Sequence, residues 1–338
     1  MTKVLPVQKP PVFGYHFYSY PLAIILNYES SYPWFYSNYI QLAFNRDMNA
    51  PVPFCFYMYD YAIVPWLTTY RLSREVYALT DKPVVDFVKA ALDKEYYVYL
   101  NLDEYFVPER FTYGKEHFSH DSLVYGYDSS TSSFHILGFN GKGMYVSSQI
   151  TFQAFEASFR YLDQMGNECN QIVLYQYKED GKYDFNQKLV CESLEDYLYS
   201  RNTSERFSMV ESPWERAYGM EIYDVLLKYF NNLSEGEAAA DVRHVHILWE
   251  HKHCMKLRTE YMFDREIIRK PHLVEQAVFL EGQALILKNN FLKYCVNCKP
   301  ELLASIIQLT EDIRELEKVF LPDLIMDMKL TESIGPVI

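Results

Sequence analysis

The chain has 338 residues, and its side chains carry a formal net charge of −13 at pH 7. Hydrophobic residues make up 49% and aromatic residues 17% of the sequence, which is enough apolar surface for a large core and excludes an intrinsically disordered chain. The acidic balance disfavours nucleic-acid binding, because contact with phosphates needs a basic surface.

The glycine and cysteine usage narrows the class further. There are 12 glycines, and neither G-x-G-x-x-G nor G-x-x-x-x-G-K-[ST] occurs, so no phosphate-binding loop is indicated. The stretch "MTKVLPVQKPPVFGYHF" lacks the apolar segment of a signal peptide, and no window approaches the length of a membrane span. The six cysteines follow no disulfide framework. We therefore expect a cytoplasmic protein with reduced thiols.

Strand patterns dominate the first 200 residues, where short apolar runs alternate with turn signals. The runs are rich in aromatic and β-branched residues, and the turns "DSSTSS" and "NGKG" separate three of them into a meander. Strands are predicted at 51–64, 95–107, 120–128, 133–140, 143–149 and 171–178. With two helices in the same stretch, this half is predicted to be an α+β domain with an antiparallel sheet.

Helical periodicity appears twice in the first half and throughout the second. In the first half it covers 20–44, with Pro21 in a first turn, and 151–163, where Thr151 is a candidate cap. In the second half apolar residues recur at three- and four-residue intervals. Helices are predicted there at 214–230, 241–263, 272–295 and 300–321. The predicted domains are therefore an α+β domain at 1–200, an all-helical subdomain at 201–330 and a tail at 331–338.

A histidine and an amide lie at the ends of two neighbouring predicted strands. In acyl transfer, a general base holds its imidazole beside a nucleophile and is oriented from behind by a carboxylate or amide. His120 and Asn140 are therefore candidates for the base and its orienting residue. Asp121 and Asp128 are rival orienting residues, although the strand period places Asp121 on the face opposite His120. The structural alternative is that His120 caps a sheet edge and Asn140 only forms a turn.

The strings "LNLDEYFVPERFTYGKEHFSHDSLVYGYD" and "FHILGFNGKGMYVSSQITFQAF" resemble the N-terminal domain of the butirosin biosynthesis H protein family. The strings "YGMEIYDVLLKYF" and "ILWEHKHCMKLRTEYM" resemble the helical C-terminal part of relatives found beside nonribosomal peptide synthetases. This resemblance implies a papain-like fold, with a Cys–His–Asp/Asn arrangement that moves an acyl group from a carrier-protein thioester to an amine. By the same match, His120 is the base and Asn140 the third member.

The nucleophile departs from the pattern that the resemblance implies. A papain-like enzyme carries its thiol at the start of the first long helix, where the positive helix end stabilises a thiolate. Here that place is "GYHFYSYPLAIILNY", which has no cysteine, and Tyr18 and Ser19 stand about where the thiol would be. Ser19 is one candidate nucleophile and Cys55 is another. In the third alternative the nucleophile is lost, which leaves either direct aminolysis with His120 as base or a non-catalytic protein that binds a carrier protein or peptide intermediate as a scaffold.

Three residues are assigned to substrate binding: Tyr18, His16 and Asp103. A thioester is already activated, so proximity and a base suffice for direct aminolysis, and His16 is a candidate second base. Asp103, with Glu104, is a candidate for binding the ammonium group of an amine. The structural alternatives are a loop histidine and a solvated strand end. Because a carrier protein would present the acyl group on its phosphopantetheine, no cofactor is expected on this chain.

The segment 241–263 combines histidines with the most basic stretch of an acidic chain. The histidines at 244, 246, 251 and 253 lack the i, i+4 spacing of a zinc-binding helix, so no metal site is expected. The basic residues of this segment either contact a phosphopantetheine or an acidic carrier protein, or form the solvated face of a helix.

Overall fold

The structure, a computed structural model, describes residues 2–166 and 170–334. Cys169 and residues 335–338 of the predicted tail lie outside the described residues. Helices and antiparallel strands both contribute to the fold, which confirms the predicted α+β class.

The described residues form ten strands, most of them in the first 180 positions. They are β1 (Thr2–Val4), β2 (Leu42–Asn45), β3 (Phe54–Phe56), β4 (Leu67–Ser73), β5 (Tyr96–Asp103), β6 (Ser119–Asp128), β7 (Ser133–Phe139), β8 (Tyr145–Thr151), β9 (Gln171–Tyr177) and β10 (Arg216–Tyr218). The predicted meander is confirmed as β6, β7 and β8, which pair antiparallel in sequence order.

Ten α-helices are described in the same residues. They are α1 (His16–Ile25), α2 (Tyr32–Ser37), α3 (Arg74–Ala78), α4 (Val84–Asp93), α5 (Phe152–Tyr161), α6 (Gln187–Leu198), α7 (Ile222–Ser234), α8 (Val242–Asp264), α9 (Pro271–Asn297) and α10 (Pro300–Ile334). The predicted cap of α5 is confirmed, since Thr151 Oγ1 accepts a hydrogen bond from the amide of Ala154.

Packing divides the chain into two compact units, each built from segments that are distant in sequence. The sheet unit consists of Met1–Ser31 and Asp60–Tyr183, and the helical unit consists of Tyr32–Tyr59 and Asp184–Ile338. This division differs from the predicted boundary at residue 200. The difference arises because β2 and β3 pair with β10 in a three-stranded sheet and so belong with the C-terminal helices.

The sheet unit is built on a seven-stranded antiparallel sheet. Its strand order is β4–β9–β5–β6–β7–β8, with β1 paired to the far end of β6. α4 and α5 pack on the sheet through the central strand β5. α1 is buried over nine of its ten residues, as expected of a helix that is apolar around most of its circumference.

Two predictions in the first 64 residues are wrong. The expected helix at 20–44 ends at Ile25, because the side chain of Asn27 donates to the carbonyls of Ala23 and Ile24 and terminates it. The chain then forms α2 and β2. The expected strand at 51–64 is a strand only at β3, and the rest of its aromatic run lies in irregular backbone.

The long helices of the second half are confirmed as α8, α9 and α10, although α10 continues through Pro322 to Ile334 and so includes the start of the predicted tail. The prediction at 214–230 is wrong at its start, because Arg216–Tyr218 pairs with β2 as β10 and α7 begins only at Ile222. The C-terminal half is therefore not entirely helical. Within the described ranges, no helix is both long enough and apolar enough to cross a membrane.

Candidate functional site

His120 lies near the start of β6, and its ring is held by a carboxylate. His120 Nδ1 is 2.8 Å from Glu104 Oε1, and the carboxylate is almost completely buried. Glu104 reaches this position because β5 ends at Asp103 and the chain enters a 3₁₀ turn, in which the amide of Glu104 donates to the carbonyl of Phe118. The ring of His120 keeps about a third of its surface exposed.

The hydrogen bond to Glu104 determines the tautomer of His120. An ionised carboxylate only accepts hydrogen bonds, so Nδ1 carries the proton. The other nitrogen, Nε2, is then the basic one. This is the arrangement by which a buried carboxylate orients a general base in acyl-transfer enzymes.

Arg110 anchors the carboxylate from behind. The guanidinium is nearly buried, and its Nε lies 4.0 Å from Glu104 Oε1. Its other two nitrogens donate to the carbonyls of Leu137 and Phe139. Gly138, between these two carbonyls, has a φ of 157°. A Cβ there would lie 2.5 Å from the guanidinium, so a larger residue at this position would displace Arg110 from its present place. Thr112 Oγ1 donates to Glu104 Oε2, so both carboxylate oxygens have partners.

His16 is the first residue of α1, and its ring centroid lies 4.7 Å from that of His120. The ring is buried between the rings of Tyr20 and Phe139, which stack on it at 4.9 and 5.2 Å. Neither ring nitrogen has a hydrogen-bond partner of normal geometry. Burial, and then the nearby His120 and Arg110, lower the pKa of His16 well below its usual value. The ring is therefore neutral near pH 7.

A second histidine–carboxylate pair lies beside the first. His117 Nδ1 is 2.6 Å from Oδ2 of the fully buried Asp103, whose Oδ1 accepts from the amides of Tyr105 and Phe118. The ring of His117 stacks on Tyr105 and Tyr161. Because the Asp103 carboxylate bonds to His117 and to two backbone amides, its predicted role in binding an amine is not supported by this geometry.

The prediction that Asn140 orients His120 is wrong, because the Asn140 side chain bonds within its own turn. Asn140 Oδ1 accepts hydrogen bonds from the amides of Lys142 and Met144, which closes the turn between β7 and β8. A short amide side chain in a Gly-containing turn readily makes such local bonds. His120 takes its carboxylate partner from Glu104 instead. The rival Asp121 is also committed elsewhere, since its carboxylate accepts from the hydroxyl of Tyr99.

The two residues proposed for the place of the thiol do not present a reactive group to His120. Ser19 is fully buried inside α1, and its hydroxyl donates to the carbonyl of His16 one turn earlier. Such intrahelical bonds are common for helical serines. The buried ring of Tyr18 packs on Phe17 and Tyr61. The residue that α1 directs toward His120 is therefore His16, which the sequence had suggested only as a second base.

The alternative thiol, Cys55, belongs to β3 in the helical unit. It is buried, and its sulfur lies 3.9 Å from the carbonyl of Ala43 and 3.4 Å from Nη1 of Arg216. A cysteine packed in a strand in this way is usually a core residue.

The basic segment in α8 is largely internal, which contradicts its predicted role as an exposed basic face. Lys252 and Arg258 are both buried, and Arg258 donates to the backbone carbonyls of Tyr36, Asn38 and Tyr39. His251 Nε2 bonds to the carbonyl of Ile40. Among residues 2–166 and 170–334, no group of three or more His, Cys, Asp or Glu side chains is arranged to hold a metal ion.

Sequence reasoning missed the orienting role of Glu104 and the contributions of Arg110 and His117. The available signal was the pair of consecutive carboxylates at the end of β5, Asp103 and Glu104, and the two histidines on either side of the start of β6, His117 and His120. In antiparallel neighbours the end of one strand meets the start of the next, as the pairing of Asp103 with Ser119 shows. Reading the two ends together would have predicted two histidine–carboxylate pairs.

A scan against protein-family models finds no match to the chain, and a search of curated proteins also finds none. What the fold and the geometry define is an α+β protein with a carboxylate-oriented histidine at the edge of a buried aromatic cluster.

Proposed function

We propose that the protein is an acyltransferase or amide synthase of a nonribosomal-peptide type pathway, with a papain-like fold in its sheet unit. The acyl donor is a thioester on an acyl or peptidyl carrier protein, the acceptor is a small amine, and the reaction takes place in the cytoplasm. The observation that carries this proposal is the 2.8 Å contact between His120 Nδ1 and Glu104 Oε1, which makes Nε2 a general base.

The proposed reaction is direct aminolysis. The amine nitrogen attacks the thioester carbonyl, and a C–N bond forms as the C–S bond breaks. His120 Nε2 takes the proton that the amine loses and passes it to the departing thiolate. No covalent intermediate on the protein is needed, because a thioester is already activated and proximity supplies much of the rate. This fits a chain in which Tyr18 and Ser19 stand about where the thiol would be and the first residue of α1 is the neutral His16.

The experiment uses the full chain, the octanoyl thioester of N-acetylcysteamine as donor and hydroxylamine as acceptor, with the hydroxamic acid product measured by mass spectrometry. We expect His120→Ala to lower the enzymatic rate by about 10²- to 10⁴-fold, the usual contribution of a general base. Glu104→Gln should also lower it, because an amide can donate to Nδ1 and reverse the tautomer. His135→Ala, on the neighbouring strand β7, is the matched control and should keep the rate.

Equal rates for the wild type, His120→Ala and His135→Ala would overturn the catalytic proposal. A second candidate is a non-catalytic relative that binds a carrier protein as a scaffold. It is favoured by the close packing of His16 and Phe118 around the ring of His120, at 4.7 and 5.4 Å between centroids. Tight binding of an acylated carrier protein without turnover, unchanged by His120→Ala, would support this second candidate instead.

A further inference from the structure

The two longest helices of the helical unit, α9 and α10, form a groove on their shared surface. It has a volume of about 730 Å³. From α9 it is lined by His272, Glu275, Gln276, Phe279, Leu280 and Gln283, and from α10 by Asp312, Glu315, Leu316, Val319 and Phe320. Along α9 this stretch is about 17 Å long, from the helical rise of about 1.5 Å per residue.

The groove has an apolar centre that is only partly covered. Its floor consists of the buried side chains of Leu280 and Phe320. Above them, Phe279 and Val319 are 53% and 66% exposed, and Leu316 is 36% exposed. Single exposed apolar side chains are common on proteins, but several that line one concave surface are typical of an interaction site. The spacing of these residues along two antiparallel helices suits the apolar face of a third helix.

The rim of the groove is acidic. Glu275, Asp312 and Glu315 carry carboxylates there, and no lysine or arginine occurs among the described residues that line it. Lys318 and Arg314 lie 2.7 and 3.5 Å from Glu315 and offset its charge, which leaves Glu275 and Asp312 as the acidic residues of the rim. An occupant with cations on both sides of an apolar stripe would therefore match this surface, whereas an acidic one would be repelled.

We propose that the groove binds a basic amphipathic helix of a partner protein. About three turns of such a helix would place its apolar residues, at i, i+3 or i+4 and i+7, over Phe279, Leu316 and Val319. Lysines or arginines flanking this stripe would face Glu275 and Asp312. This inference concerns the helical unit alone and does not depend on the catalytic proposal.

The test is fluorescence anisotropy of the full chain with a labelled synthetic peptide of leucine and lysine patterned as an amphipathic helix. A peptide of the same pattern with glutamate in place of lysine is the charge control. We expect the lysine peptide to bind, to bind more weakly at high salt, and to lose about tenfold or more in affinity with Phe279→Ser or Glu275→Lys. Val296→Ser changes another apolar residue of α9, 87% exposed and outside the groove, and should leave the affinity unchanged.

Several results would overturn the proposal. These are no binding of the lysine peptide, equal binding of the glutamate peptide, or equal affinities for Phe279→Ser, Glu275→Lys and Val296→Ser. Size-exclusion chromatography on the same proteins tests whether a second copy of the chain occupies the groove instead. A dimer of the wild type that Phe279→Ser dissociates would assign the groove to a second copy of the chain and reject a basic helix. Circular dichroism spectra of the variants verify that each one is folded.

Discussion

A fully buried ion pair in the helical unit allows a quantitative prediction about its stability. Lys252 Nζ of α8 lies 2.7 Å from Glu317 Oε1 of α10, and both side chains are at most 1% exposed. Glu317 Oε2 accepts from the hydroxyls of Tyr197 and Tyr223, and Lys252 Nζ also contacts Tyr197 and His251. At an effective dielectric constant of about 20, the attraction at this distance is worth about 6 kcal/mol.

We expect Glu317→Gln to lower the free energy of unfolding by about 3 to 5 kcal/mol at pH 7. The variant keeps the shape of the side chain but leaves a buried cation without its counter-charge. The loss of stability is held to about this size because Lys252 can give up its proton instead of staying charged. Neutralising a lysine of ordinary pKa at pH 7 costs about 4.6 kcal/mol. Burial already lowers the pKa of Lys252 in the native protein, against the opposing effect of Glu317.

The pH dependence of this variant gives a second, sharper signature. If Lys252 becomes neutral in the folded variant but stays protonated when unfolded, the unfolded state binds more protons. Stability then rises with pH, by about 1.4 kcal/mol per unit between pH 7 and 9. Urea unfolding followed by circular dichroism measures both the loss and the slope.

The matched control is Lys318→Met, which removes an exposed pair with the same 2.7 Å separation on the same helix. This variant should change the free energy of unfolding by less than about 1 kcal/mol, because solvent screens exposed ion pairs. The double variant Lys252→Met with Glu317→Gln should lose much less than the sum of its single changes. A cost for Glu317→Gln as small as that of Lys318→Met, with no slope in pH, would refute the reasoning.

Two further predictions concern stability. Burial lowers the pKa of His244 to about 4 in the folded protein. The unfolded state therefore binds more protons below pH 6.5, and the protein becomes less stable as the pH is lowered. Between pH 7 and 5 the wild type should lose about 2 kcal/mol more than His244→Phe in urea unfolding, and equal losses would contradict this. Gly219 has a φ of 52°, and a Cβ there would lie 2.0 Å from the carbonyl oxygen of Tyr197. Gly219→Ala should therefore lower the free energy of unfolding by about 2 to 4 kcal/mol, measured by thermal unfolding. The control is Gly236→Ala, where a Cβ meets open space and the loss should be about 1 to 2 kcal/mol. Similar losses for the two variants would refute the clash.

The sequence predicted correctly those helices and strands whose hydrophobic pattern and turn signals lie within one continuous segment. The strands β6 to β8 follow one another through short polar turns, and α8 to α10 keep helical periodicity over many turns. The failures lie where a distant segment decides the structure. Residues 42–45 become a strand because 54–56 and 216–218 pair with them. No local pattern contains that information.

The same distinction applies to the buried charges of α8. Lysine and arginine are seldom fully buried, so the sequence of this helix favoured a solvated basic face. Lys252 is buried because Glu317 compensates its charge, and Arg258 because three carbonyls between residues 36 and 39 accept from it. These partners come from segments 65 or more residues away along the chain, and only the folded structure brings them together.

The position of His16 bears on the chemistry available to His120. Two imidazoles whose centroids are 4.7 Å apart do not readily carry two positive charges, and the nearby Arg110 adds to the repulsion. Glu104 bonds to His120, whereas the rings of Tyr20 and Phe139 stack on His16. Burial, with His120 and Arg110 nearby, lowers the pKa of His16 and leaves its ring neutral near pH 7. A thiol at the start of α1 would instead exchange its proton with His120 and form an ion pair. With a histidine in that place, the proposed role of His120 is that of a base for a substrate's proton, and the proposed reaction therefore uses a donor that is already activated.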